Sequence, residues 1–242
     1  MSGGLKAAWR GWLNTQRRRL AHLLLHRMVF GETSGGRHLA HTRIAPSTCI
    51  EHAGRLQLAD HVYIGPFNFI EASGGVVVGE GVQITHHVSI VTHSSHRAQR
   101  LLGQAYADWP GPGPRPGWVA GAVEIGPYCF IGPHSLIEAG SRLGRGCTVR
   151  AGSVLRGDYP AHAVIAGNPA KVVGDARDGD ARWLAADPSL RAGYAAWAGV
   201  ADLATDRAAD RTADRTADRT ADRFAGGAAD PAQPSTPQPP TP

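Results

Sequence analysis

Aliphatic residues recur every six positions through the middle of this 242-residue chain. One unbroken series consists of Ile125, Ile131, Ile137, Leu143, Val149 and Leu155. A second consists of Leu58, Ile64 and Ile70, slips by two residues at Gly74 and Gly75, and resumes at Val78, Ile84 and Ile90. This period fits neither a helix nor a long alternating strand, but it fits short strands joined by corners, with three hexads in each coil. We therefore predict an all-β parallel β-helix over residues 44–175.

The position two residues before each aliphatic residue is small or apolar as well. Its members are Val62, Val82, Val88, Cys129, Ser135, Ser141, Cys147 and Ser153. Both positions should point inward, so that stacked coils bury one continuous column. Cys129 and Cys147 should then stack on successive coils as core fillers. With Cys49 they form neither a CxxC pair nor an even set, which indicates a reducing compartment and a cytoplasmic protein.

Composition excludes several other classes of protein. The chain has 31 Gly and 17 Pro but only 7% aromatic residues, which favours tight corners over a helical bundle. A net charge of +5 is too small to indicate a nucleic-acid partner. The apolar stretch over residues 20–30 is broken by His22, His26 and Arg27. We therefore expect neither a membrane-spanning segment nor a signal peptide.

Residues 1–30 are predicted to form a basic amphipathic helix. Its basic residues are Lys6, Arg10, Arg17, Arg18, Arg19 and Arg27, and apolar residues near helical spacing are Leu5, Trp9, Trp12, Leu13, Leu20, Leu23 and Leu24. The helix either lies on anionic lipid at the inner face of the membrane or packs on the main domain or a neighbouring subunit. We favour packing because Arg17, Arg18 and Arg19 interrupt the apolar stripe.

The C-terminal part divides into two segments. Residues 176–204 contain Trp183 and Trp197 and are predicted to form short helices that close the domain. Residues 205–223 repeat Asp-Arg every four positions, and the remainder is rich in Gly, Ala, Pro, Gln and Thr. We predict a disordered, low-complexity tail over residues 205–242.

Three segments resemble the hexapeptide-repeat acyltransferases, and in particular the maltose/galactoside O-acetyltransferases and the capsule and O-antigen acetyltransferases. They are Ile125-Gly-Pro-Tyr-Cys-Phe-Ile-Gly-Pro-His-Ser-Leu-Ile-Glu-Ala-Gly, Arg150-Ala-Gly-Ser-Val and Ala166-Gly-Asn-Pro-Ala-Lys-Val-Val. The resemblance implies left-handed coiling, a homotrimer, acetyl-CoA as co-substrate and no metal. It also implies transfer of an acetyl group to a saccharide hydroxyl in the synthesis of cell-surface glycans.

The hexads are interrupted once at large scale, between Ile90 and Ile125, by a loop predicted over residues 97–122. Long irregular insertions in a regular solenoid are usually functional. The resemblance implies a catalytic histidine at the entrance to this loop, where a general base would deprotonate the acceptor hydroxyl. We favour His96, because it follows a small polar residue, with His93 as the second candidate.

The resemblance also implies a coenzyme A groove between adjacent subunits. The matching positions are Ala151, Arg156, Gly157 and Lys171, of which the two basic residues could meet phosphates. Lys171 could instead be a solvated surface charge. An oxyanion donor is expected from a backbone amide, but Pro133 occupies the matching position and has no N–H, so a neighbour such as the amide of His134 or a side chain must replace it.

Asn68 and Glu71 are candidates for contacting the saccharide acceptor. The alternatives are a buried amide ladder for Asn68 and a solvated corner for Glu71. Three other functions stay open: N-acetylation of an amino sugar, a zinc enzyme of the γ-type carbonic anhydrase kind, and a non-enzymatic β-solenoid scaffold. The zinc alternative would draw its ligands from His86, His87, His93, His96 and His134.

Overall fold

The structure is a computed structural model that describes residues 2–109 and 115–198. The helices are α1 (Ser2–Leu25), α2 (Ala98–Leu102), α3 (Arg177–Ala186) and α4 (Leu190–Ala198). The strands are β1 (Val29–Ser34), β2 (Arg37–Ile44), β3 (Cys49–Glu51), β4 (Leu56–Leu58), β5 (Tyr63–Ile64), β6 (Phe69–Glu71), β7 (Val76–Val78), β8 (Gln83–Ile84), β9 (Ser89–Val91), β10 (His93–Ser94), β11 (Val119–Ala120), β12 (Val123–Ile125), β13 (Phe130–Ile131), β14 (Leu136–Ile137), β15 (Arg142–Leu143), β16 (Thr148–Val149), β17 (Val154–Leu155), β18 (Asp158–Tyr159), β19 (Ala163–Gly167) and β20 (Ala170–Asp175).

Successive strands of the coils belong in turn to three sheets, which confirms the predicted parallel β-helix. The first sheet has the order β1-β2-β5-β8-β13-β16-β19-β20, the second β3-β6-β9-β14-β17, and the third β4-β7-β12-β15-β18. Within the coils all neighbouring strands of these sheets are parallel. Antiparallel hairpins close the two ends, β1 with β2 and β19 with β20.

The predicted hexad positions form the core. The aliphatic side chains of both series are buried, as are Val62, Val82, Val88, Cys129, Ser135, Ser141, Cys147 and Ser153. Cys129 and Cys147 precede the paired strands β13 and β16, so they lie at the same place on successive coils, and their thiols donate to the carbonyls of Gly144 and Pro160. The core-filler interpretation of both cysteines is therefore confirmed.

The coils differ in length, and this difference determines which side chains meet. Ile131 pairs with Val149, 18 residues further on, but Ile44 pairs with Ile64 and Ile64 with Ile84, so the earlier coils contain 20 residues. In the coil from Ile64 to Ile84 the two extra residues correspond to the slip at Gly74 and Gly75, and in the coil before it they lie between Ile50 and Leu58. Residues one coil apart in the first half of the solenoid are consequently aligned at a spacing of 20 rather than 18.

The chain divides into two compact units, Met1–Arg191, which contains all of the coils, and Ala192–Pro242. The predicted C-terminal helices are present as α3 and α4, whereas residues 199–204 and the predicted tail over 205–242 lie outside the described residues. In the part of the chain that the structure describes, no helix combines the length and hydropathy needed to cross a bilayer.

Candidate active site

The predicted loop begins and ends in a two-stranded sheet that is separate from the three sheets of the solenoid. β10 pairs antiparallel with β11, so that His93 lies opposite Ala120 and Ser94 opposite Val119. The amide of Gly121 adds a hydrogen bond of 3.0 Å to the carbonyl of Thr92. The two ends of the loop are thereby held together, and His93 is fixed at its entrance.

His93 contacts a carboxylate from the preceding coil. Glu71 is aligned with Val91 in the pairing of β6 with β9, which brings its side chain to the residues that follow β9. His93 Nδ1 lies 2.8 Å from Glu71 Oε2, and the side chains are 32% and 4% exposed, respectively. Because an ionised carboxylate can only accept, the contact favours the imidazole tautomer that carries its proton on Nδ1 and leaves Nε2 as the basic nitrogen.

The carboxylate of Glu71 is held by further donors. The amide of Ser73 donates to Oε1 at 2.7 Å, and the amide and hydroxyl of Thr92 donate to Oε2 at 3.1 and 2.7 Å. Burial alone would raise the pKa of Glu71, but the hydrogen bonds from Ser73 and Thr92 outweigh it and lower the pKa from 4.5 to about 2. Glu71 is therefore charged at neutral pH where it contacts Nδ1 of the imidazole.

Trp118 covers one face of the same imidazole. Its ring stacks on His93 with the centroids 4.7 Å apart and the planes at 8°. The guanidinium of Arg115 lies 5.8 Å from the Trp118 ring and 4.7 Å from the ring of Tyr106. The end of the loop thus packs back on its entrance, and the imidazole is oriented in its plane by Glu71 and across its face by Trp118.

His96 has a different environment. Its side chain is exposed, and Nδ1 lies 2.7 Å from the hydroxyl of Ser94, two residues away. That neutral partner belongs to the same loop, whereas His93 contacts a buried, charged partner from another coil. The structure therefore brings Glu71 to His93 rather than to His96.

Asn68 is buried, and its amide links two coils. Nδ2 donates to the carbonyls of Gly65 and Thr85 at 2.9 and 2.7 Å, and Oδ1 accepts from the amide of Val88 at 2.7 Å. Both amide hydrogens are therefore used by the backbone. This arrangement matches the buried amide ladder and leaves Asn68 no donor for a saccharide.

Glu71 fits neither of the roles considered for it in the sequence. It is buried rather than a solvated corner, and its oxygens are occupied by protein donors rather than open to an acceptor. Ser73, Thr92 and Trp118 are the residues of this site that sequence reasoning missed. The spacing of 20 in the early coils was a usable signal for the first two, because it aligns Glu71 with Val91.

The residues implied for the coenzyme lie on the last coils. Ala151, Arg156 and Lys171 are exposed. The hydroxyl of Tyr159 accepts from the amide of Arg156 at 3.2 Å and donates to the carbonyl of Ala170, next to Lys171, at 3.4 Å. Tyr159 therefore brings two of the predicted phosphate contacts to one part of the surface.

The backbone amide suggested in place of Pro133 as the oxyanion donor already has a partner. The suggested replacement, the amide of His134, donates to the carbonyl of His86 at 3.3 Å. That amide is engaged within the solenoid, so the expectation that it faces the reacting carbonyl is not supported by this geometry.

Among the histidines of the zinc alternative, His87 and His134 stack on each other, and His86 lies edge-on to both. The rings of His87 and His134 are 5.0 Å apart and nearly parallel at 4°. Among the described residues, the group whose ligand atoms come within 4.8 Å of one another is instead His41, Asp60 and His61. The rings of its two histidines stack at 4.5 Å and 15°. Ligand lone pairs lie in the ring plane, so nearly parallel stacked rings do not direct them to one ion.

Comparisons with known proteins agree with the repeat seen in the coils. Residues 122–157 match the family described as bacterial transferase hexapeptide (six repeats). The chain is 29% identical over 127 residues to a protein of Mycobacterium tuberculosis named as a probable acetyltransferase, covering 52% of this chain and 39% of that one. It is 29% identical over 114 residues to galactoside O-acetyltransferase of Escherichia coli, covering 46% of this chain and 50% of that one.

The chain also has a partial match to a solved structure. It is a hexapeptide-repeat-containing acetyltransferase of Vibrio cholerae O1 biovar eltor in complex with acetyl coenzyme A, with a TM-score of 0.46 and 18% identity, covering 67% of this chain and 77% of that one. The chain spans about half the length or less of the two curated relatives described above.

Proposed function

We propose, from the premise that residues 122–157 match the hexapeptide-repeat transferases, that the chain transfers an acetyl group from acetyl-CoA to a hydroxyl of a saccharide. The observation that carries this proposal is the Glu71–His93 pair at the entrance to the loop. The names of the relatives support acetyl transfer, and galactoside O-acetyltransferase supports a saccharide acceptor. The proposed setting is cytoplasmic synthesis of a cell-surface glycan.

His93 is the proposed general base. Nε2 takes the proton of the acceptor hydroxyl while the hydroxyl oxygen forms a bond to the carbonyl carbon of the thioester. The carbon–sulfur bond then breaks, and the proton on Nε2 passes to the departing thiolate of coenzyme A. Glu71 stays ionised throughout and stabilises the imidazolium that forms between these two proton transfers.

The contacts reverse the order of the two histidine candidates. A buried carboxylate holds one imidazole tautomer of His93, and Trp118 restricts the ring to one orientation. His96 has a hydroxyl partner and an exposed ring. Catalytic groups are effective when they are held in place, so the proposal assigns the base to His93 and leaves His96 as a loop residue.

The proposed coenzyme site uses Arg156, Gly157 and Lys171, with Ala151 on the neighbouring corner, in a groove between the subunits of a homotrimer. Exposed basic side chains on the last coils support phosphate contacts. Small residues such as Ala151 and Gly157 would let the pantetheine arm approach the backbone. The hydroxyl of Tyr159 hydrogen-bonds to the backbone of Arg156 and to that of Ala170, the neighbour of Lys171. These two hydrogen bonds support placing both phosphate contacts in one groove.

Coenzyme binding is tested by titrating the purified full-length chain with acetyl-CoA by calorimetry. We expect one site per chain and a Kd that rises at least tenfold in Lys171→Ala, because a charge-assisted phosphate contact is lost. Lys6→Ala removes a lysine of α1 and should leave the Kd unchanged. Absence of acetyl-CoA binding by the unmodified chain would reject the acetyltransferase proposal.

The base is tested by release of the coenzyme A thiol with a panel of galactosides and glucosides as acceptors. We expect His93→Gln to lower kcat by about 10²- to 10⁴-fold while acetyl-CoA still binds. His96→Gln should retain activity within about threefold. The opposite pattern, with His96→Gln inactive and His93→Gln active, would overturn the assignment.

A further inference from the structure

The N-terminal helix α1 presents an uncovered apolar face. None of its residues 4–25 is buried, and Leu5 and Trp9 are 78% and 62% exposed. The other large apolar side chains that are exposed along it are Trp12, Leu20, Leu23, Leu24 and Leu25. An exposed apolar face of this size marks a contact surface. The chain's own domain does not cover this face, so the expectation that α1 packs on that domain is wrong.

The arginines of α1 flank the apolar stripe rather than interrupt it. Because α1 is one continuous helix, each residue is rotated by about 100° from the one before. On that projection Leu5, Trp9, Trp12, Leu20, Leu23 and Leu24 fall within an arc of about 120°. Arg17 and Arg19 fall at the two borders of the arc, and Arg18 falls on the opposite side. Contrary to the expectation from the sequence, these arginines therefore do not interrupt the stripe.

The positive charge of α1 and the residues that follow it favours an anionic partner surface. The first 31 residues contain Lys6, Arg10, Arg27 and the three arginines above, and the first acidic residue is Glu32. An apolar stripe bordered by cations, with no anion on the same helix, complements a surface that is anionic and apolar beneath its charges. A second copy of α1 does not provide this complement, because it would bring another set of cations against the first.

The aromatic side chains fit the same partner. Trp9 and Trp12 stack with their rings 5.0 Å apart on the apolar face. Tryptophan favours the boundary between headgroups and acyl chains, because its ring is apolar and its indole N–H needs a polar partner. Just after the C-terminal end of α1, the ring of His26 lies 5.3 Å from the ring of Phe67, at a corner of the solenoid.

We propose that α1 lies on the surface of an anionic bilayer, with its apolar stripe at the level of the headgroups and its arginines among the phosphates. This docking would hold the solenoid, and the site at His93, next to the membrane. It does not depend on the acetyltransferase proposal, because it rests on the exposure, charge and aromatic side chains of α1 alone.

The test is co-sedimentation of the full-length chain with vesicles. One set contains phosphatidylcholine with 30 mol% phosphatidylglycerol, and the other contains phosphatidylcholine alone. We expect at least tenfold stronger partitioning to the anionic vesicles at low salt, and weaker partitioning in 0.5 M salt. Replacing Arg17, Arg18 and Arg19 together by Gln should lower partitioning by about 100-fold, because each basic residue near an anionic surface contributes about a fivefold factor.

The apolar contribution is tested with Trp9→Ala/Trp12→Ala. We expect partitioning to fall at least tenfold. Trp183→Ala is the matched control, because Trp183 is 72% exposed on α3, outside α1, and its loss should change nothing. Light scattering of each variant reports the oligomeric state. The proposal would be overturned by equal binding to both vesicle types, or by a Trp9→Ala/Trp12→Ala variant that binds vesicles as well as the unmodified chain. It would also be overturned if that variant changed its oligomeric state while still binding vesicles.

Discussion

The charged state of Glu71 predicts a pH-dependent contribution to stability that Glu71→Gln removes. The hydrogen bonds described above lower the pKa of Glu71 from 4.5 to about 2 in the folded protein. A shift of about 2.5 units corresponds to about 3 kcal/mol, since each unit is worth 1.36 kcal/mol. Because the folded pKa is the lower one, this stabilisation is present above pH 4.5 and is lost as the pH falls towards 2.

The assay is equilibrium urea unfolding of both proteins at pH 7.0 and pH 3.5, at one fixed chain concentration. At pH 3.5 the unfolded carboxylate is already about nine-tenths protonated, so about 1.4 kcal/mol of the contribution is lost. We therefore expect the unfolding free energies of the unmodified protein and Glu71→Gln to differ by about 1.4 kcal/mol more at pH 7.0 than at pH 3.5.

Glu51 provides the matched control for this experiment. It lies directly opposite Glu71 in the pairing of β3 with β6, and it is exposed. Glu51→Gln should change the unfolding free energy by less than about 0.5 kcal/mol at either pH, as exposed substitutions usually do. If the effect of Glu71→Gln is the same at both pH values, Glu71 is not held as a low-pKa carboxylate and the reasoning fails.

Further substitutions test the ladder, the stacking and the close approach of coils. Asn68→Ala leaves two carbonyls and an amide without their partners, and urea unfolding should show a loss of about 3 kcal/mol, whereas a loss below about 1 kcal/mol would contradict the ladder. Trp118→Ala should lower kcat about tenfold and leave the KM for acetyl-CoA unchanged, because the flat ring of Trp118 orients His93. Trp118→Phe should largely restore the rate, and equal rates in all three proteins would refute this role. Gly126→Ala places a methyl group 2.7 Å from the backbone of the next coil and should destabilise the protein by several kcal/mol. The control is Gly54→Ala, whose methyl group meets nothing within 4 Å and should leave the stability unchanged. Thermal unfolding compares the two variants.

The fold was readable from the sequence because a solenoid repeats one local rule. Each hexad specifies one strand and one corner, and the same inward positions recur in every coil. Periodicity alone therefore predicted the buried residues at the hexad positions of the coils. The hairpin of β1 and β2 was not predicted, because residues 29–43 precede the hexads and pair antiparallel. Its strands bury Leu39 and Thr42 without the six-residue period.

The candidate site was less readable because it depends on contacts between coils of unequal length. The two candidate histidines were located at the loop entrance, but choosing between them required the alignment of Glu71 with the residues after β9. Trp118 reaches His93 only because the loop folds back on itself, and no periodicity in the sequence specifies that return. Asn68 was recognised as an unusual inward residue, while its role followed from three backbone partners on two coils.

The loop between β9 and β12 leaves the pairing around it undisturbed. Val78 and Ile125 are direct neighbours in the third sheet, although 47 positions separate them in the sequence. The β10–β11 ladder holds the base of the loop, and the entropic cost of closing a loop rises by only about 0.6 kcal/mol for each doubling of its length. Loops of different length can therefore be exchanged at this corner at a small entropic cost, while the paired strands on either side of the loop stay the same.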